Sequence, residues 1–196
     1  KSLPIALGGM LWSPKRHTLP QPIEVTNEVV KLADKRYEAM SLKTAYLNNQ
    51  FHQKDVFRNL YIETEQQIET LQVSGLDNRS IEIITHLNIE TWMNIKIENW
   101  ETAHRLLTTY AIRHIENANS PFSILLKCTS NEERELLRKH LIQRHIYPAI
   151  LWTMPEDSPF DEAKVYADTM LSVHCDARYD SDNIVHICKQ IIGFYD

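Results

Sequence analysis

The chain has 196 residues, of which 43% are apolar, and a formal net charge of −5 at pH 7. This length and apolar share are sufficient for a sizeable buried core, whereas the negative charge argues against nucleic acid as a main partner, since phosphate-binding surfaces need clustered Lys and Arg. No apolar run approaches the roughly 20 residues that span a bilayer. No signal-type segment opens the chain, although a leader could precede Lys1 in a longer protein.

Cysteine usage indicates the compartment. Cys128, Cys175 and Cys188 are odd in number, and none belongs to a C-x-x-C pair. This pattern indicates neither a disulfide framework nor a zinc ribbon. We therefore expect a reducing compartment, the cytoplasm.

The first residues predict a short strand and then a linker. The first dozen residues alternate apolar residues and Gly in a way that is typical of a short buried strand, GGMLW (8–12). In the ten residues that follow, Pro14, Pro20 and Pro22 forbid regular structure.

Helical patterns begin at Thr26, which is suited to cap a helix. Apolar residues recur at helical spacing from there to Met40, and the opposite face is charged. A second, more polar helix is predicted from about 54 to 71, with Gly75 as its C-cap.

A longer helix is predicted next. Apolar residues continue from Asn78, and over residues 89–115 they recur at spacings of three and four. This pattern predicts one long amphipathic helix, kinked or not. Its stripe of Trp92, Met93 and Trp100 is expected to be core rather than a cofactor contact.

Residues 119–196 predict a small sheet covered by helices. Three segments have strand composition, FSILLKC (122–128), YPAILW (147–152) and LSVHC (171–175). Helical segments separate and follow them in a β-α-β-α-β-α order. We therefore expect an α/β or α+β fold, preceded by long helices.

Capping signals mark the helices of this region. Ser130 and Glu133 have the spacing of a capping box, Ser158 and Pro159 suit the N-cap and first position of the next helix, and a last helix is predicted from about 181 to 194. The residues expected in the core are Phe122, Ile124, Leu126, Leu137, Leu141, Ile150, Trp152, Tyr166, Met170, Ile184 and Ile191.

Two segments near the end carry a family resemblance. IYPAILWTMPEDSP (146–159) and MLSVHCDARYDSDNI (170–184) resemble the closing part of DegT/StrS-type aminotransferases, in which a Trp-x-x-Pro-like bend precedes a Leu-Ser-x-x-x-Asp-x-Arg-Tyr-like strand. KSLPIALGGMLW (1–12) is similar to the family's Lys-x-x-x-x-Gly-x-Gly-Gly-apolar-apolar segment, with Ala6 at the position of the first Gly. The remaining counterparts are Lys1, Gly8, Gly9, Met10 and Leu11.

The resemblance implies a fold-type I enzyme that uses pyridoxal phosphate (PLP). Lys1 would then bind PLP as a Schiff base and act as the catalytic residue that moves a proton between substrate and cofactor. The implied reaction transfers an amino group from an amino acid to a keto acceptor, in this family often a keto sugar carried on a nucleotide. The resemblance further implies a homodimer.

The resemblance also implies how the chain is divided. Residues 1–25 would end the cofactor-binding domain and form a linker, residues 26–118 would link the domains, and residues 119–196 would be the small C-terminal α/β domain. The chain would then be the C-terminal part of a longer protein, inactive by itself. The alternatives are a non-catalytic α/β interaction domain and, for Lys1, an ordinary solvated lysine.

A polar cluster between the last strand and the last helix has two interpretations. Arg178 could bind a substrate carboxylate, or it could pair locally while Asp180 or Ser181 caps the helix. We favour the capping turn.

The nine histidines do not predict a metal site. Glu101 and His104 match half of a di-iron motif, but no second Glu-x-x-His exists, and no three ligands have zinc spacing. His174 and Cys175 are adjacent, so in a strand they should point to opposite faces.

Overall fold

The structure is a computed structural model that is mixed α/β and mostly helical. It describes residues 3–9, 13–18, 23–115, 121–151 and 154–196. The chain forms two compact units that meet in sequence between Leu87 and Asn88. Within the described ranges, no helix is long and apolar enough to cross a membrane.

Three helices form the N-terminal unit, Leu3–Leu87. They are α1 (Asn27–Leu47), α2 (Lys54–Thr70) and α3 (Asn78–His86), and α1 packs along α2. Thr26 caps α1 as predicted, since its hydroxyl accepts a hydrogen bond from the amide of Val29 at 3.3 Å.

Gly75 does not cap α2, which ends at Thr70 with Leu71 as its C-cap. A Cβ at position 75 would lie 2.3 Å from the carbonyl oxygen of Ile23. Gly75 is therefore required by the close approach of the backbone before α1, which the local sequence does not reveal.

Buried polar groups join the helices of the N-terminal unit. Arg36 is 7% exposed, and its guanidinium donates from Nε to the carbonyl of Ala6 at 3.0 Å and from Nη1 to the hydroxyl of Thr64 at 3.2 Å. The hydroxyls of Tyr37 and Ser80 lie 2.8 Å apart and tie α1 to α3.

The C-terminal unit begins with α4 (Ile89–Thr109), which starts with the periodic stretch 89–115 but ends six residues before it does. The side chain of Asn88 accepts the Thr91 amide at 3.0 Å and starts a new helix after α3. At the other end Ala111 adopts a positive φ of 55°, and His114 pairs with Leu126 in an antiparallel bridge.

The sheet of this unit has two antiparallel strands, β1 (Ile124–Lys127) and β2 (Met170–Val173). The predicted strand over 147–152 is wrong in its described part, because only Ala149 pairs with the sheet, through two 2.8 Å hydrogen bonds to Ser172. Trp152 lies outside the described residues.

Three helices complete the C-terminal unit, α5 (Asn131–Ile142), α6 (Asp161–Thr169) and α7 (Ser181–Tyr195). Ser130 caps α5 as predicted. Helix α6 begins after Phe160, two residues later than predicted, and Ser158 accepts only the amide of Phe160.

One apolar core holds this unit together, and it includes one face of α4. Trp100, Ala103 and Leu107 pack in the same cluster as the sheet and α7. This packing places α4 in the C-terminal unit. The larger members of the cluster are Trp100, Leu107, Ile124, Leu126, Leu137, Leu141, Leu171, Val173, Ile184, Ile187, Ile191 and Ile192.

Most of the predicted core is confirmed. Phe122 and Tyr166 are the exceptions, at 46% and 43% exposed. Phe122 precedes β1, outside the paired strands. The ring of Tyr166 lies 5.1 Å from the ammonium of Lys127, a contact made at the surface. Ile150 and Met170 are half-buried.

Candidate functional site

Lys1, Met10 and Leu11, which carry the N-terminal part of the resemblance, lie outside the described residues. Residues 3–9 are described and form no strand. Gly8 and Gly9, the described part of the predicted GGMLW strand, are therefore not in a strand. Ala6 is buried in a small cluster with Ala33 and Tyr37, and its carbonyl accepts the hydrogen bond from Arg36.

The two glycines of this segment differ in what surrounds them. Gly8 has a φ of +126°, and a Cβ there would lie 2.5 Å from Cδ1 of Leu76, whereas a Cβ on Gly9 would have nothing within 4 Å. A glycine is therefore needed at position 8 for its backbone conformation and its packing on Leu76.

The surroundings of residues 3–9 bear on whether PLP could be held here. The described contacts of this segment include Ala33, Tyr37 and Leu76. They also include Arg36, which is bound to Ala6, Thr64 and Glu65. These residues provide neither a phosphate cradle nor an acidic partner for a pyridine nitrogen. The described residues therefore do not by themselves fit the cofactor.

The polar turn at 176–180 forms a compact hydrogen-bonded structure. The guanidinium of Arg178 donates from Nε and Nη2 to the two carboxylate oxygens of Asp176, both at 2.7 Å. The side chain of Asp180 accepts the amide of Asn183 at 2.8 Å and caps α7. Local pairing and capping, the favoured interpretation, account for these side chains.

Hydrogen bonds within this turn stabilise the ionised carboxylates of Asp176 and Asp180. Burial acts to raise the pKa of Asp176, but the hydrogen bonds and charge of Arg178 outweigh it, with help from His174, and the pKa lies below its ordinary value. The pKa of Asp180 is also lowered, chiefly by the backbone hydrogen bond from Asn183.

Asn99 of α4 anchors the turn, and sequence analysis did not single it out. Its side-chain amide donates to the carbonyls of Tyr179 at 2.9 Å, Cys175 at 3.3 Å and Asp176 at 3.4 Å. Asn99 is 3% exposed. A polar residue four positions before Ala103, on the apolar face of an amphipathic helix, was the available signal.

Two histidines that are ten positions apart in the sequence, His104 and His114, are in contact. His104 Nδ1 lies 2.7 Å from His114 Nε2, and His114 Nδ1 lies 2.9 Å from the carbonyl oxygen of Ile112. Since a carbonyl only accepts, neutral His114 donates from Nδ1 and accepts at Nε2. Trp100 stacks on His104 at 4.9 Å between ring centroids.

The residues around this histidine pair decide whether it could hold a metal ion. Within the described ranges, no three His, Cys, Asp or Glu side chains are placed to hold an ion. Among the described residues, Glu101 and His104 therefore have no further side chains beside them that would complete a di-iron site. The pair instead connects α4 to the segment bridged with β1.

The cysteines of the C-terminal unit are buried thiols. All three are free. Burial raises the pKa of Cys175 to about 11 and that of Cys188 to about 12, which makes both unreactive at neutral pH. His174 is exposed and Cys175 is buried, but both lie beyond the end of β2 at Val173, so the predicted alternation within a strand does not apply to them.

A second polar cluster joins the start of α5 to the end of α7. The carboxylate of Glu133 accepts the hydroxyls of Tyr195 and Thr129, and it lies 3.7 Å from the guanidinium of Arg113. Glu133, Tyr195 and Arg113 border a cavity of about 240 Å³. Burial opposes ionisation of Glu133, but the hydrogen bonds from Thr129 and Tyr195 prevail and lower its pKa.

The chain was also compared with known proteins. No protein-family model matches it, and no curated protein matches it significantly in sequence. Membership in the DegT/StrS family therefore stays a prediction from the residues of segments 1–12, 146–159 and 170–184.

Proposed function

We propose that this chain is the C-terminal part of a PLP-dependent aminotransferase-like protein of the DegT/StrS type. The whole protein would act in the cytoplasm as a homodimer and transfer an amino group from an amino acid to a keto acceptor, such as a nucleotide-linked keto sugar. Lys1 would bind the cofactor.

One contact supports this proposal more than any other. The two C-terminal segments that carry the resemblance are hydrogen-bonded to each other, since Ala149 of 146–159 and Ser172 of 170–184 exchange both backbone hydrogen bonds at 2.8 Å. Segments that belong to one family motif should occupy one structural element. This contact is what a shared small-domain layout requires.

The arrangement of the C-terminal unit gives further support. A long helix, α4, packs along α7, and both contribute to the apolar cluster that includes the two strands, while α5 contacts β2. The resemblance implies a small domain of this kind behind a linking helix. Fold alone does not define an activity, so the proposal depends on the lysine.

The role of Lys1 can be tested on the product of the complete gene. When bound, PLP would supply the electron sink for amino transfer, and borohydride reduction would fix it to the lysine that holds it. We expect peptide mass spectrometry to find the phosphopyridoxyl group on Lys1. Lys1→Ala should abolish the label, whereas Lys15→Ala should leave it unchanged.

Two results would contradict the proposal. One is a label spread over several lysines and insensitive to Lys1→Ala. The other is a start codon directly before Lys1, because the family's remaining cofactor contacts lie upstream of its lysine.

A further inference from the structure

A cleft of about 430 Å³ opens in the N-terminal unit. Its walls come from the second half of α1, from α3, and from Pro4 and Gln50. A cavity of this size accommodates a small organic molecule.

The cleft is amphipathic. Met40, Ala45 and Ile83 contribute apolar surface, and Ser41 contributes a hydroxyl. Arg79 is the one charged residue among the described residues that line it. An occupant should therefore combine an apolar body with a single anionic group.

Arg79 is positioned by an aromatic ring. Its guanidinium carbon lies 4.0 Å from the centroid of the Tyr37 ring. Tyr37 is itself fixed, because it is 3% exposed and its hydroxyl is hydrogen-bonded to Ser80 at 2.8 Å. A guanidinium that stacks on a ring keeps the N–H donors at its edge available, in a planar fork that matches an oxyanion.

No protein carboxylate neutralises this guanidinium within the described part of the chain. The ion pairs formed there involve other cations, among them Lys35, Arg36 and Arg58. Arg79 also lies in the first turn of α3, where the helix dipole favours negative charge.

We propose that this cleft binds a small organic acid, with its carboxylate or phosphate monoester on Arg79 and its apolar body against Met40 and Ile83. The site is independent of the proposed aminotransferase function. Binding would require both parts of the ligand, the charge and the apolar chain.

The test uses isothermal titration calorimetry of the 196-residue chain with four probes: hexanoate, hexyl phosphate, acetate and the neutral hexanamide. We expect saturable binding of hexanoate or hexyl phosphate, and the tighter of the two identifies the anion. Acetate should bind more weakly because it lacks the apolar chain. Hexanamide should bind at least about tenfold more weakly than hexanoate, as expected for a lost charge-assisted hydrogen bond.

Matched variants separate the oxyanion site from general binding. Arg79→Gln should weaken binding of the acid about tenfold to a hundredfold, and Arg79→Lys should give an intermediate loss. Arg58→Gln, an exposed arginine of the same unit, should not change it. Circular dichroism would establish that each variant is folded.

Equal binding of hexanoate and hexanamide, or unchanged binding by a folded Arg79→Gln chain, would overturn the proposal. So would the lack of saturable binding of either acid up to its solubility limit.

Discussion

The two units of this chain bury different kinds of groups. In the C-terminal unit the centre is apolar, with Leu137, Leu171 and Ile191 fully buried in one cluster. In the N-terminal unit the small cluster around Ala6 lies beside a buried arginine, Arg36, and buried hydroxyl groups. The C-terminal unit depends on packing, and the N-terminal unit also depends on directional hydrogen bonds.

This difference determines which substitutions each unit should tolerate. An apolar core accepts side chains of similar volume at modest cost. A buried hydrogen-bonded group has few substitutes, because removing one partner leaves the other without a bond. Substitutions chosen in each unit can therefore test whether the contrast is energetic as well as geometric.

The largest effect is expected in the apolar core. Leu137→Ala removes a fully buried side chain and should lower the free energy of unfolding by about 2–5 kcal/mol. Three of the four tryptophans, Trp92, Trp100 and Trp152, belong to the C-terminal unit. Urea unfolding followed by tryptophan fluorescence is therefore the suitable measurement.

The neighbouring residue provides the control. Leu136 is 51% exposed, and Leu136→Ala should change the free energy of unfolding by about 0.5 kcal/mol or less. Similar losses for both variants would mean that the packing of α5 is not as described.

A smaller effect is expected for the buried arginine. Arg36→Ala removes the hydrogen bonds to Ala6 and Thr64, and the loss should be about 2 kcal/mol. Glu65, its ion-pair partner, is 54% exposed, so that pair adds little. Hydrogen exchange of the α1 and α2 amides should detect the change in this unit.

Arg58→Ala is the matched control for this prediction. Arg58 is 58% exposed and lies 4.0 Å from Asp55, so its removal should have almost no effect. If the α1 and α2 amides of the Arg36→Ala variant exchanged as slowly as those of the unsubstituted chain, the stability of the N-terminal unit would not depend on its buried polar groups.

The same contrast explains what could be predicted from the sequence. Apolar periodicity and caps are local signals, and they predicted α1, α5 and α7 and most of the C-terminal core. Thr26, Ser130 and Asp180 cap helices as their spacing indicated. Where stability comes from apolar packing, the sequence is informative.

The errors arise from contacts between distant parts of the chain. Gly75 resembled a C-cap, but its role depends on Ile23. The segment 147–152 has strand composition, yet only Ala149 meets β2. The composition of a segment does not specify whether a partner strand lies alongside it.

The polar contacts could not be predicted for the same reason. The bonds of Arg36 to Ala6 and of His104 to His114 join residues that carry no spacing signal. Asn99 bonds across 80 positions to Tyr179. Such pairings follow from the fold and are not visible in a single sequence.

The smallest expected effect concerns the polar turn of the C-terminal unit, where Asp176 binds Arg178. Since folding lowers the pKa of Asp176, the folded chain holds fewer protons on it than the unfolded chain, so stability from this group rises with pH. That stability should be present above the unfolded pKa of about 3.9 and lost as pH falls through the folded value. Arg178 is 61% exposed, so solvent screening should keep the contribution small.

Asp176→Asn should therefore reduce the loss of stability on acidification, measured by urea unfolding from neutral pH to about pH 3. Asp168→Asn, at an exposed carboxylate of the same unit, should leave the pH dependence unchanged. If the two variants behaved alike, the turn would contribute no acid-sensitive stability. The C-terminal unit would then be stabilised by its apolar core without help from the hydrogen bonds of this turn. The two units would differ in the source of their stability even more than their hydrogen bonds indicate.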